Sequence, residues 1–390
     1  MLRVGKEEAD AVCRVMESGD IFRYNVDGEC GRFERRLSEF TGATYAVQCS
    51  SGTNAITAGL IGLEIGPGDE VIVPAHTFIA SAMAVLAVGA IPIIVDVDES
   101  IMIDPRAVED AIGPCTRAVM PVHMWGHLCD MDAIMDLAAR RDLLVIEDAS
   151  QCVCGFYKGK GAGSIGHAGA WSFNFYKNMT CGEGGAVLTS KQHVHQRARC
   201  AVDPSSFYWE GRDATFTPFS NSGARASEFE GAILNAQFDR IPPLLEEMRE
   251  HKARLIDAIA DSGLTLSPRH DPAGECPTGL MVNLPSAEAA SEFKESAGGA
   301  VLAHTGRHNY TEWDPILAKQ GAHHPALNPF NLPQNANCRM EYSKDMCSRS
   351  LDILARTVLV GIRPDHSEAD IRALAEKINR AAEQVLTSSV

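Results

Sequence analysis

The chain has 390 residues, 45% hydrophobic and 22% charged, an ordinary globular composition with enough length to bury a core without disulfide or metal staples. Its Lys and Arg total 35 against 51 Asp and Glu, a net charge of −16. So acidic a surface repels phosphate backbones and anionic membranes, which argues against nucleic-acid and membrane partners.

In chain order, the first ten residues are charged and lack the apolar core of a secretion signal. The twelve cysteines form no C-x-x-C pair, a usage that fits reduced thiols in a cytoplasmic protein. A strand is expected over 45–49 and a helix over 53–63. Strands follow at 70–73, 91–95, 118–122 and 143–147, separated by helical patterns at 78–88, 104–112 and 131–140. Asp104 is placed as an N-cap, with Pro105 in the first turn. The stretch 79–95 holds Ser81, Gly89 and Pro92 and is shorter than the about 20 residues a membrane span needs. Near-continuous apolar strands alternating with helices indicate an α/β fold, its mainly parallel sheet covered by helices on both faces. Ligands on such sheets bind at the carboxyl ends of the strands. After about residue 240 the pattern becomes a long helix to 260, weaker strands, a His-rich polar segment at 304–330 and an amphipathic helix at 368–385. The expected division is a large domain, 1–245, and a smaller C-terminal α+β domain, 246–390.

Two motifs invite misreading. Residues 161–166 spell G-x-G-x-x-G, but a dinucleotide site needs a strand before that motif and a helix after it. Here a glycine-rich turn between strands fits better. His123, His127 and Cys129 hint at zinc, yet no second ligand pair stands near them, and structural zinc takes four ligands. No metal is expected.

Three segments at strand ends carry chemistry. Around Ser51, Gly52 and Thr53 a strand gives way to a helix, whose free N–H groups and partial positive charge suit an anion. Taken alone, the same residues would also serve as a plain N-cap. Glu147 and Asp148 close the apolar strand 143–147, where a carboxylate is costly unless it meets a cation or donors. Lys177 sits between the aromatic run beginning at Trp171 and the glycine-rich turn 182–185. A lysine in a partly apolar pocket has a lowered pKa and can form an imine with an aldehyde. Pyridoxal phosphate needs a lysine for its aldehyde, an acid for its pyridine nitrogen and a phosphate cradle. Lys177, Asp148 and Ser51 to Thr53 supply those three.

On the stretches 51–55, 66–78, 146–151, 172–177 and 182–185 the chain resembles the DegT/DnrJ/EryC1/StrS family of sugar aminotransferases, with the type I fold of pyridoxal-phosphate enzymes. The likeness covers roughly residues 20–240. It implies that Lys177 holds the cofactor as an imine and then shuttles the substrate proton. Asp148 would pair with the pyridinium nitrogen, Gln151 would approach the phenolic oxygen and Phe78 would stack on the ring. Ser51, Gly52, Thr53 and Ser172 would hold the phosphate. It implies further a homodimer with its site at the subunit interface, an amino donor such as glutamate or glutamine, a keto-sugar, keto-cyclitol or keto-sugar-acid acceptor, and a ping-pong course. The family pattern places an Asn for the partner's phosphate where this chain has Gly223, with Asn221 two residues earlier as the substitute. His167 replaces an acid and Asn174 a frequent His. Arg225 and Tyr310 are the candidate substrate contacts. Three other readings remain at this point: a sugar dehydratase of the same fold, which would carry His in place of Lys177, a non-catalytic sensor or scaffold, and a dehydrogenase built on 161–166.

Overall fold

The computed structural model describes residues 4–25, 27–209 and 213–387. Seven strands form the main sheet: β1 (Tyr45–Cys49), β2 (Glu70–Pro74), β3 (Ile91–Val95), β4 (Thr116–Val119), β5 (Leu144–Asp148), β6 (Ala168–Ser172) and β7 (Gly185–Thr189). Their order is β1-β7-β6-β5-β4-β2-β3. From β3 through β6 every pairing is parallel. β7 alone runs against its neighbours, β6 and β1. The reason is local: no helix lies between Ser172 and Gly185, and without a crossover a strand can return only antiparallel.

The central strands are apolar because both faces are covered. All five residues of β2, β6 and β7 are buried. Helix α1 (Gly52–Gly62) is apolar nearly all round and buries seven of its 11 residues. α2 (Ala80–Ala87) packs beside it. The expected Asp104 cap is present, its carboxylate accepting from the Arg106 N–H at 2.9 Å. β4 begins two residues before its expected start and ends at Val119, although the Met120 N–H still bonds Ile72 at 2.8 Å.

The C-terminal part opens with α3 (Ile241–Ala258). A second sheet follows, made of β8 (Thr265–Leu266), β9 (Gly279–Asn283), β10 (Ala300–Val301) and β11 (Thr357–Gly361), in the order β8-β9-β11-β10. All its pairings are antiparallel, and α4 (Glu368–Thr387) ends the described chain. The His-rich segment folds as short 3-10 turns with one α-helical turn, Asp314–Leu317, among them. One apolar core runs continuously through both sheets. A buried ion pair also joins α3 to the 269–278 loop: Lys252 Nζ lies 2.6 Å from Glu275 Oε1, which Arg269 also meets at 3.1 Å. Among the described residues no helix is long and apolar enough to cross a membrane.

Candidate active site

The carboxyl ends of β1, β2, β5 and β6 meet on one edge of the main sheet, where a cavity of about 870 Å³ opens. Ser51, Gly52, Thr53 and Ser172 line one side of it. Phe78, Asp148, Gln151 and Lys177 also line it. Residues as distant in sequence as 51 and 177 are thus brought to one chamber by the parallel topology.

Ser51 caps α1, its hydroxyl accepting from the Asn54 N–H at 3.1 Å. The first turn of α1 therefore faces the chamber with N–H groups not used inside the helix. A Cβ on Gly52 would stand 2.6 Å from Ser172 Cβ and 2.9 Å from its hydroxyl. Only glycine leaves that space between helix and strand open, and the space has the donors an anion needs.

Asp148 ends β5 and is buried. Its Oδ2 accepts from the Ser81 hydroxyl at 2.7 Å, and its Oδ1 from the Ser150 N–H at 3.1 Å. Ser81 in turn shares a hydrogen bond of 2.8 Å with Thr77. The two donors fix the carboxylate, and among the described residues no salt bridge to it is seen, so a cation can be received there. Burial lowers the pKa of Lys177, opposed by the charge of Asp148. The net shift is towards the neutral, nucleophilic form of the amine. Gln151 is steadied by the Trp125 N–H, 3.4 Å from its Oε1. An amine, a buried acid and an anion cradle on one wall fit pyridoxal phosphate in kind and in order.

The sequence model of the DegT/DnrJ/EryC1/StrS aminotransferase family matches residues 3–379. The chain belongs to that family. It is 35% identical over 283 residues to a GDP-perosamine synthase of Caulobacter vibrioides, across 69% of this chain and 73% of that protein. It is 44% identical over 232 residues to the dTDP-3-amino-3,4,6-trideoxy-alpha-D-glucose transaminase of Streptomyces venezuelae, which covers 59% of each. An aminotransferase structure from Psychrobacter cryohalolentis superposes with a TM-score of 0.77 at 27% identity, across 99% of this chain and 98% of the other.

Three residues singled out in this aminotransferase-family sequence lie away from the chamber. Asn221 is exposed and donates to the Ala201 carbonyl at 2.7 Å. Arg225 is half exposed and pairs with Asp203 at 3.2 Å. Tyr310 corrects the expectation of a substrate contact. It is fully buried, its hydroxyl donating to the Lys344 carbonyl at 2.7 Å and accepting from the Cys347 N–H at 3.2 Å. Its N–H bonds the Ala75 carbonyl at 3.0 Å, which turns the ring into the core. The residue of that segment on the chamber wall is His308, two positions earlier.

The misleading motifs find other uses in this member of the family. The N–H groups of Gly163, Ile165 and Gly166 all donate to the buried carboxylate of Glu147, at 2.9, 2.7 and 2.6 Å. The G-x-G-x-x-G turn thus binds a side chain of its own protein. His123 donates to Glu147 at 3.1 Å, Cys129 bonds the Val122 carbonyl at 3.2 Å, and His127 faces Lys252 at 3.3 Å. His167 accepts from the Val145 N–H at 3.0 Å, while Asn174 lines the chamber and donates to Glu183 at 2.9 Å.

Sequence reasoning missed Thr77, Ser81, Trp125 and Ser150. Thr77 and Ser81 sit one helical turn apart after β2, a spacing that was available. Trp125 carried no such signal. It reaches the wall from a backbone at φ +55, a conformation that bulky residues rarely adopt.

Proposed function

We propose that the chain is a pyridoxal-phosphate-dependent transaminase that moves an amino group from an amino-acid donor, glutamate or glutamine, to a keto-sugar, keto-cyclitol or keto-sugar acid. The observation that carries this reading is the placement of Lys177 and Asp148 on one chamber beside the start of α1. Pyridoxal phosphate supplies, when bound, an aldehyde that takes up nitrogen and an electron-poor ring that stabilises a carbanion. The N–H groups of α1, with Ser51, Thr53 and Ser172, would hold its phosphate. Asp148 would keep a proton on the ring nitrogen. Phe78 would cover one face, and Gln151 would approach the phenolic oxygen. Lys177 would bind it covalently at rest. Once freed by the amino donor, the Lys177 amine would carry a proton away from the substrate carbon in one half of a ping-pong cycle and deliver one to it in the other. Ile241, Leu245 and Met248 of α3 give the chamber an apolar wall that excludes water.

Asn221 and Arg225, exposed on a single chain, fit a role across a subunit boundary, with each site completed by the partner of a homodimer. The twelve free cysteines fit work in the reducing cytoplasm. The dehydratase reading loses to the retained Lys177. The scaffold reading loses to the intact set of amine, acid and cradle, and the dehydrogenase reading to Glu147, which occupies its motif. The test is a half-reaction screen. The holoenzyme is converted to its amino form with glutamate or glutamine, and keto-sugars are then tried for return of the aldehyde form. Return with a keto-sugar supports the proposal. Failure to accept nitrogen from any amino acid refutes it.

A further inference from the structure

The chamber wall also carries a histidine with no assigned role. His308 comes from the 3-10 turn Gly306–His308 and lines the chamber. Its ring lies 4.7 Å from Trp125, 5.5 Å from Phe78 and 6.5 Å from His76, centroid to centroid. Three aromatic neighbours fix the plane of the imidazole.

One hydrogen bond fixes which nitrogen is left as an acceptor. His308 Nδ1 lies 3.0 Å from the Thr305 carbonyl. A carbonyl only accepts, so Nδ1 carries the proton, and in the neutral ring Nε2 keeps a lone pair. Burial lowers the pKa of His308, and the Lys177 charge lowers it further against the opposing Thr305 bond. These effects favour the neutral ring.

The support behind this ring is itself ordered. The Trp125 indole N–H, a donor only, gives to His76 Nε2 at 2.9 Å. His76 must then donate from Nδ1 to Asn309 Oδ1, 2.8 Å away. Asn309 spends its own amide protons on the Leu302 and Ala303 carbonyls at 3.0 and 2.9 Å. Every donor in this chain is committed, and Trp125 is held at its unusual φ of +55. Gly126 follows at φ +89, where a Cβ would stand 2.2 Å from the Cys276 carbonyl oxygen. Backbone conformations of this cost persist where surrounding structure enforces them, and they cluster at ligand sites.

We propose that His308 is a substrate-binding residue whose Nε2 accepts a hydrogen bond from a hydroxyl that the amino-group acceptor carries near its carbonyl carbon. This assignment rests on the transaminase reading above and narrows it. A polyhydroxylated ketone gains from the contact. The keto acid left by the amino donor has no hydroxyl to offer and gains nothing. His308 thus separates the two half-reactions at a single atom.

The test compares the holoenzyme with His308→Phe and His308→Gln. Each is converted to the amino form, and its return to the aldehyde form is followed with a polyhydroxylated ketone and, separately, with the donor's keto acid. The equilibrium affinity for the aminated sugar product is measured by titration. His308→Phe is expected to raise KM for the hydroxylated ketone about tenfold and to weaken product binding by about the same factor, the loss of one buried hydrogen bond. Its reaction with the donor's keto acid should stay within about twofold of the parent. His308→Gln, whose amide oxygen accepts, should recover most of the loss. Equal losses on both ketones, or none on the hydroxylated one, would overturn the assignment. A parent enzyme that exchanges nitrogen with amino acids but accepts no hydroxylated ketone overturns it too. A parent that exchanges with no amino acid sinks the transaminase reading itself.

Discussion

Glu147 and Asp148 are adjacent acids on one strand whose side chains leave it on opposite faces. Glu147 gathers the three N–H groups of the 163–166 turn together with His123. Asp148 faces the chamber and is held by Ser81 and Ser150. One acid is structural and its neighbour chemical. Asp148→Asn should therefore keep the fold and lower turnover by about 100-fold or more, since an amide cannot hold the ring proton. Glu147→Gln should do the reverse, costing about 3 kcal/mol of stability while the folded fraction keeps its turnover. Urea denaturation and steady-state rates on both variants check the division.

Gly52→Ala places a methyl group 2.6 Å from Ser172 Cβ. The neighbouring atoms belong to β6 at the base of the chamber and have little room to give. Cofactor affinity should fall about tenfold or more, in line with overpacking costs of about 1–3 kcal/mol. Ultrafiltration of the holoenzyme at graded protein concentrations measures the change. Melting temperature of the cofactor-free protein should move far less.

His76 is fully buried, and burial brings its pKa down to about 3 despite the opposing Asn309 bond. A folded pKa below the unfolded value means that the native state binds fewer protons. Stability from this group is complete above the unfolded pKa of about 6.5 and declines as pH falls from there towards 3. Over that window the slope approaches about 1.4 kcal/mol per pH unit. His76→Gln should flatten the fall by that amount. Urea titrations of both proteins between pH 7 and 5, compared as differences, give the answer.

Glu70 starts β2 with its carboxylate buried, and Arg339 meets it with a 2.5 Å contact. Burial raises the pKa of Glu70, but the Arg339 and Thr116 hydrogen bonds outweigh it and the net shift is downward. Arg339→Met removes the guanidinium but leaves the Thr116 hydroxyl and the residue-339 N–H as donors, and should cost about 1–2 kcal/mol at neutral pH. The contribution is full above the ordinary carboxylate range and is lost as pH falls through the lowered value. The gap between parent and variant should therefore close in acid. Chemical denaturation at pH 7 and pH 4 would expose a gap that stays constant.

The parallel sheet was legible because β2, β3 and β5 are apolar runs of a length that only a doubly covered strand explains. The chamber was legible because Ser51, Asp148 and Lys177 each follow a strand, and strand ends of a parallel sheet share one edge. Tyr310 was misplaced because its segment folds as 3-10 turns. With three residues per turn, a shift of two positions separates a wall residue from a core residue, and no apolar periodicity marks the difference. Trp125 was illegible for another reason. Its position depends on a left-handed backbone and on His76, which is 49 residues away in sequence.

The central claim is a covalent bond between Lys177 and pyridoxal phosphate. Borohydride reduction of the holoenzyme, digestion and mass mapping of the modified peptide test it most directly. The account requires the reduced pyridoxyl group on Lys177, within the peptide that runs from Trp171 towards Gly185, and requires Lys177→Ala to give no fixed cofactor and no turnover. A pyridoxyl group on any other lysine, or turnover without the amine at 177, would contradict it.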